Sequence, residues 1–290
     1  MSRVKWHLPW LSPVLCFLFA IFVGPFIYMV WLSLTDLSLA AAQRNGNFIG
    51  IGNYSSALRD MAFIGTLARS AGFAFLCVFP EMLIAIALAE LLHSRRIARR
   101  LLSPLLAIPV FLPSVVIGLY WRILLQGEFG VLSYWLSELG VRWAKGILSD
   151  PRTILFTLAA IDVWQWCPFV TLVLLAARGS LPLAPVEAAW VDGASRWRAF
   201  IDITLPALAP TVFVLSLIRA IDSFKEFDKV FILTGGGPGT ASELSSIYTW
   251  RVAFRMWDIG YAAALCVVVY IVIYVVSWTG FSRFRLGGVR

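Results

Sequence analysis

Charge is scarce in this chain. Asp, Glu, Lys and Arg supply only 14% of its 290 residues, against about a quarter in an ordinary soluble domain. That shortage argues against a solvated globular fold, and a domain count taken from length does not apply. Histidine is nearly missing: His7 lies near the N-terminus and His93 in a basic loop, which leaves no basis for a histidine metal site. Cysteine is sparse too. Cys16, Cys77, Cys167 and Cys266 each fall inside an apolar stretch with no metal-ligand spacing. They read as small buried hydrophobes and say nothing of redox compartment. Walker motifs, a nucleophile elbow and a metal box are all lacking, so no catalytic residue and no cofactor is assigned to this chain. Internal repeats, low-complexity runs and long polar linkers are lacking as well. One transmembrane domain over residues 1–290 is the expected organisation.

What the chain has in abundance is apolar surface. Apolar residues make up 60% of it and the mean hydropathy is +0.83. A helix needs about 20 apolar residues to cross the hydrocarbon core. Six stretches qualify, at about 12–35, 66–92, 102–125, 153–177, 205–223 and 259–281. Backbone polar groups in lipid must bond internally, so each is expected to be a helix. The first follows Arg3 and Lys5, is too long for a signal-peptide core, and reads as a retained span.

The net charge of +8 points to membrane orientation. The basic residues are spread over tails and loops without a basic helix or base-stacking motif, so nucleic acid is not an expected partner; membrane lipid is. His93 to Arg100, HSRRIARR, packs four arginines between the second and third stretches. Arg3, Lys5, Arg283, Arg285 and Arg290 mark the two tails. With an even number of spans, both tails, this loop and the loop at 178–206 share the cytoplasmic side. Arg142, Lys145, Lys229 and Arg251 fall on the other side, in longer loops interleaved with acids.

Ionisable residues within spans cost at least about 2.5 kcal/mol at mid-membrane and are functional candidates by default. Asp162 stands mid-span, with Trp164, Gln165 and Trp166 after it and Pro168 beyond. Aromatic faces beside an amide and a carboxylate could hold a polyhydroxylated ligand. Equally, Asp162 and Gln165 could bond a neighbouring helix while the tryptophans pack. Arg219, Asp222, Lys225, Glu226, Asp228 and Lys229 end the fifth stretch. Their spacing predicts Arg219–Asp222 and Asp222–Lys225 pairs at i,i+3, a self-neutralised helix end or a substrate contact. Glu81 is expected to pair across helices, and Arg69 and Arg122 to reach toward headgroups or water. Pro104, Pro109 and Pro113 predict a kinked third span.

The most informative segment is 187–206, EAAWVDGASRWRAFIDITLP. Val186, Trp190, Ala194, Trp197 and Ile201 recur at helical spacing, which places them on one side of a helix. Gly193, without a Cβ, can bend the chain sharply. On spacing alone this could be a helix lying on the lipid surface. Glu187, Ala188, Ala189, Asp192, Gly193 and Ala194, followed by Phe200, Ile203, Leu205 and Pro206, resemble position by position the EAA loop of permease subunits of binding-protein-dependent ABC importers. The glycine-rich stretch at 233–240, LTGGGPGT, with KVFI before it and DIGYAAA at 258–264, is similar to the carbohydrate-type members.

The resemblance covers nearly the whole chain and carries several expectations. The fold is an all-α, six-helix type I ABC importer permease. Its partners are a second permease subunit, often a different one, two ATPase subunits and an extracytoplasmic solute-binding protein. ATP and Mg belong to the ATPases. The chain is a transport subunit of the inner membrane rather than an enzyme, and moves a sugar or sugar derivative by alternating access. Glu187 supplies an ion pair or cap at the docking cleft, Gly193 the bend, and Ala188, Ala189 and Ala194 a low-profile surface. A proton-coupled secondary carrier, with Asp162 or Glu81 as the proton site, is the alternative.

Overall fold

The computed structural model describes residues 8–40, 46–127, 130–138 and 146–287. Arg3, Lys5, His7, Arg142, Lys145 and Arg290, and the side chains of Arg96 and Arg285, lie outside the described residues. The helices in chain order are α1 Leu8–Ser33, α2 Gly52–Arg59, α3 Met61–Ser94, α4 Arg96–Phe111, α5 Ser114–Leu124, α6 Val131–Glu138 and α7 Ile154–Ser180. There follow α8 Ala184–Val191, α9 Arg196–Ala199, α10 Leu205–Phe224, α11 Asp228–Thr234, α12 Ser245–Phe254 and α13 Ile259–Gly287.

Among the described residues, five helical stretches are long and apolar enough to cross a membrane: Ser12–Ser33, Met61–Ser94, Ile154–Ser180, Arg196–Phe224 and Ile259–Arg283. A sixth is counted when α4 and α5 are taken as one span, bent by 95°. Three prolines predicted a kink; the structure breaks the helix at one of them. Pro104 and Pro109 stay inside α4, while Leu112 is extended at φ −79°, ψ 131° ahead of Pro113. The ring of Pro113 removes an amide donor and drives the residue before it out of the helical region.

Two compact units emerge, residues 1–65 with 248–290, and residues 66–247. In the first, α13 packs on α1 and on α2. Asp60 organises the turn between α2 and α3. Its Oδ1 accepts the amides of Ala62 at 3.0 Å and Phe63 at 3.1 Å, capping α3. Its Oδ2 accepts the hydroxyls of Tyr248 at 2.5 Å and Tyr261 at 2.8 Å. Burial pushes the Asp60 carboxyl up, but the Tyr248, Phe63, Tyr261 and Ala62 donors outweigh it and hold the group below its usual range. Gly260 sits against the carbonyl of Thr35, where a Cβ would collide.

The second unit is built around α7, which packs on α4 and α10. Its apolar window is 61% buried, against 0% for α1, so α7 is a core helix and α1 a peripheral one. Phe73, Ile117, Ile154, Leu158, Val230 and Leu244 form one apolar cluster. Met82, Ala85, Cys167, Val170, Leu174 and Leu215 form another.

Candidate functional site

Between these two apolar clusters lies a buried network of charge. Arg219 on α10 donates through Nε to both oxygens of Glu81 on α3, at 2.9 and 3.0 Å. Its Nη2 reaches Asp162 Oδ2 on α7 at 2.5 Å. Lys229 on α11 donates to Asp162 Oδ1, to Gln165 Oε1 at 3.0 Å, and pairs with Glu226 at 3.2 Å. Glu81, Asp162, Gln165, Arg219 and Lys229 are each no more than 2% exposed. Trp166 covers the guanidinium, with Arg219 Cζ 4.9 Å from the ring centroid.

Four helices are thus joined by hydrogen-bonded ion pairs whose side chains are almost wholly buried. A buried pair contributes little net stability against an apolar replacement, yet losing one partner strands the other charge and costs about 3–5 kcal/mol. The network therefore clamps α3, α7, α10 and α11 together in this conformation.

Several expectations are corrected here. Arg219 does not pair with Asp222. It turns into the core toward Glu81 and Asp162, while Asp222 faces outward and pairs with Lys225 at 3.1 Å. The two directions follow from helix geometry and from the pull of two buried carboxylates on one cation. Arg69 Nε donates to the Glu243 carbonyl at 3.0 Å, and Arg122, which stays exposed, donates through Nη1 to that of Ile232 at 3.1 Å. Nor do the residues after Asp162 converge on one hollow. Gln165 points inward to Lys229, Trp166 covers Arg219, and Trp164 lies 41% exposed, edge-on to Trp121 at 5.5 Å. Consecutive helical residues diverge by about 100°. Lys229 gains its role by reaching across to α7, and Glu226 pairs with it locally at i,i+3. Lys229 and Asp162 are 67 residues apart, a distance that local spacing does not bridge. The one sequence signal was balance, acids and bases in apolar stretches that needed each other.

The segment at 178–206 is a second arrangement. Helix α8 has Pro185 in its first turn, where the missing amide costs nothing. Glu187 occupies that turn and Ala188 the next, both exposed. The helix stops in a Schellman turn. The Ala194 amide donates to the Ala189 carbonyl at 2.8 Å and the Gly193 amide to that of Trp190 at 3.1 Å. Gly193 holds φ +85°, a left-handed conformation that glycine adopts without penalty. Asp192 is the residue before it and is exposed. Ser195 then caps α9, its Oγ accepting the Arg198 amide at 3.3 Å. A π-helical turn, Phe200–Thr204, leads into α10. Pro206 has no amide to donate, which suits a widened turn at this join.

That turn corrects the single-helix reading. Ala194, Trp197 and Ile201 do not continue the face of Val186 and Trp190, because α8 ends at Val191 and a separate helix begins at Arg196. Val186 is buried, but Trp190 is half exposed, Trp197 70% and Val191 88%. Exposed tryptophan and valine therefore stand together on this helix–turn–helix.

Comparison with known proteins identifies the family that carries these two arrangements. The family described as binding-protein-dependent transport system inner membrane component matches residues 81–283, a stretch that contains both arrangements. The chain belongs to this family. A probable ABC transporter permease protein, y4oQ, of Sinorhizobium fredii is 32% identical over 91% of this chain and 84% of its own length. The trehalose/maltose transport system permease protein MalF of Thermococcus litoralis is 31% identical over 96% of this chain and 92% of its own. In fold, the permease superposes on a bacterial ABC transporter involved in import of the acidic polysaccharide alginate, with TM-score 0.81 at 22% identity, covering 98% of this chain and 99% of that one.

The permease is accordingly an all-α inner-membrane component of an ABC importer with the type I fold. In such importers ATP hydrolysis is carried by separate ATPase subunits, and the permease partners those and a second permease. The secondary-carrier alternative receives no support.

Proposed function

We propose that this permease forms half of the pathway of an importer for a sugar or sugar derivative. It takes solute from an extracytoplasmic binding protein, has both termini and the segment at 178–206 on the cytoplasmic side, and acts as one transmembrane domain. ATP and Mg bind on the partner ATPases, and this chain carries no cofactor of its own. The sugar class rests on the trehalose/maltose relative.

The observation that carries the reading is the exposed α8–Gly193–α9 turn. Glu187, Ala188, Ala189, Asp192, Gly193 and Ala194 form the surface an ATPase grips. Alanine keeps the contact low, Glu187 supplies an ion pair, and Trp197 and Val191 bury apolar area on docking. When the ATPases close on ATP, they drag α8; the turn passes the motion through α9 and the π-helical join into α10. The clamp at Arg219 then carries α3, α7 and α11 with it, tilting the pathway about a mid-membrane site. Asp162, Gln165 and Arg219 serve the pathway by holding its wall. Trp164, 41% exposed, offers an aromatic face to a sugar ring, Trp166 supports Arg219, and Asp222 is a further candidate for the pathway.

The test is Gly193→Pro. Proline fixes φ near −65° and cannot hold this turn. The variant assembles in the membrane but loses ATP-driven uptake; full uptake would refute docking through this turn.

A further inference from the structure

One cavity lies away from the charge clamp. It measures ≈350 Å³, and Glu90, His93, Ser94, Arg178, Trp190 and Phe200 contribute to its wall. The end of α3, the end of α7 and the docking segment meet there.

Arg178 is 5% exposed. Its Nε donates to Glu90 Oε2 at 2.9 Å, and its Nη1 is buried with no hydrogen-bond partner. The Nδ1 of His93 is buried and unpartnered as well. Two buried nitrogens, from helices α7 and α3, are left unsatisfied around one hollow. An unpaired donor on a buried guanidinium is costly, and native proteins keep such groups chiefly where something completes them. Guanidinium presents its donors in a fixed fork that matches an oxyanion. Glu90 occupies the Nε edge of that fork, and Nη1 is buried in the wall without a partner.

The surrounding charge favours an anion. Arg196 also lines the cavity, and beyond Ser94 Arg95, at the N-cap of α4, and Arg99 and Arg100, within it, are exposed. Of the two acids in the wall, Glu90 is already spent on Arg178, and Glu187 is exposed. The hollow is larger than a phosphoryl group, with the rings of Trp190 and Phe200 beside the remaining space. A cavity of this volume falls in the range of small-molecule sites.

We propose that this cavity binds a phosphate ester, with Arg178 and His93 holding the phosphoryl oxygens and the organic part lying against Trp190 and Phe200. The ester is the headgroup of an anionic phospholipid or a small phosphorylated solute from the side of the docking segment. Occupancy ties α8 to the ends of α3 and α7, and so stiffens the join through which docking is transmitted. Binding is read directly, so the proposal stands or falls apart from the docking reading.

The experiment uses the assembled transporter, permeases and ATPases together, in nanodiscs of phosphatidylcholine with or without phosphatidylglycerol. Native mass spectrometry reads retained lipid, and hydrogen exchange over 184–204 reads protection by added glycerol phosphate. Retention of phosphatidylglycerol without a glycerol phosphate effect assigns the site to lipid; protection by glycerol phosphate assigns it to solute. Arg178→Gln weakens either by about tenfold, the loss of one charge-assisted hydrogen bond. Because that change also frees Glu90, His93→Ala is the second variant; it leaves the Arg178–Glu90 pair intact and also weakens binding. Neither ligand binding, or undiminished binding in both variants, overturns the proposal.

Discussion

Arg219 and Glu81 are 138 residues apart in sequence and meet at 2.9 Å in the core of the second unit. Arg219 is 1% exposed and Glu81 0%, so neither can turn to water when the other is lost. Arg219→Met therefore strands Glu81 and half of Asp162. We expect a loss of about 3–5 kcal/mol, seen as a lower melting temperature of the detergent-purified complex. Glu81→Gln combined with Arg219→Met recovers part of that loss, because the stranded charge is gone. Asp222→Ala, which breaks only an exposed pair, changes stability by under about 1 kcal/mol.

Gly193 offers a graded test of the docking turn. At φ +85° asparagine is tolerated better than alanine, and a β-branched residue worst. Uptake measured in the series Gly193→Asn, Gly193→Ala, Gly193→Val is expected to fall in that order, with membrane insertion unchanged in all three.

Trp197 is 70% exposed, so removing it costs the isolated permease little. Trp197→Ser is expected to leave the permease in the membrane while weakening capture of the ATPase about tenfold or more, the scale of an aromatic interface anchor. Co-purification of the ATPase with tagged permease reads this directly; equal recovery would remove Trp197 from the interface.

Asp60 predicts an acid sensitivity. Its carboxyl is held below its usual range, so it contributes stability that is present above the unfolded value, about 3.9. That contribution fades as pH falls through the lower folded value. An acid melt of the wild type therefore shows a step that Asp60→Asn lacks, the two curves approaching each other at the acid end. Parallel curves would mean that the four donors around Asp60 do not depend on its charge.

Where the sequence was legible, the reason is physical. Long apolar runs have one solution in lipid, so the spans could be placed. Gly193 could be singled out because a missing Cβ has few other uses in a helical segment. What stayed hidden was long-range. Arg219 has Asp222 three residues away, yet takes Glu81 and Asp162 from other helices, because buried carboxylates attract it more than an exposed one. Three prolines marked the third span alike, and only packing selected Pro113 as its break. The helix through Trp190 and Trp197 looked continuous on a wheel. The Schellman turn at Gly193, which ends it, involves backbone bonds that no side-chain pattern records.

The clamp also has a consequence for biosynthesis. Glu81 and Asp162 leave the ribosome long before Arg219 and Lys229, since chains emerge N-terminus first. A half-made permease holds two carboxylates in the bilayer with no counter-charge, each costing at least about 2.5 kcal/mol at mid-membrane. Nascent chains that stall before residue 219 are therefore unstable, and open to membrane proteases, until translation of α10 and α11 completes the set.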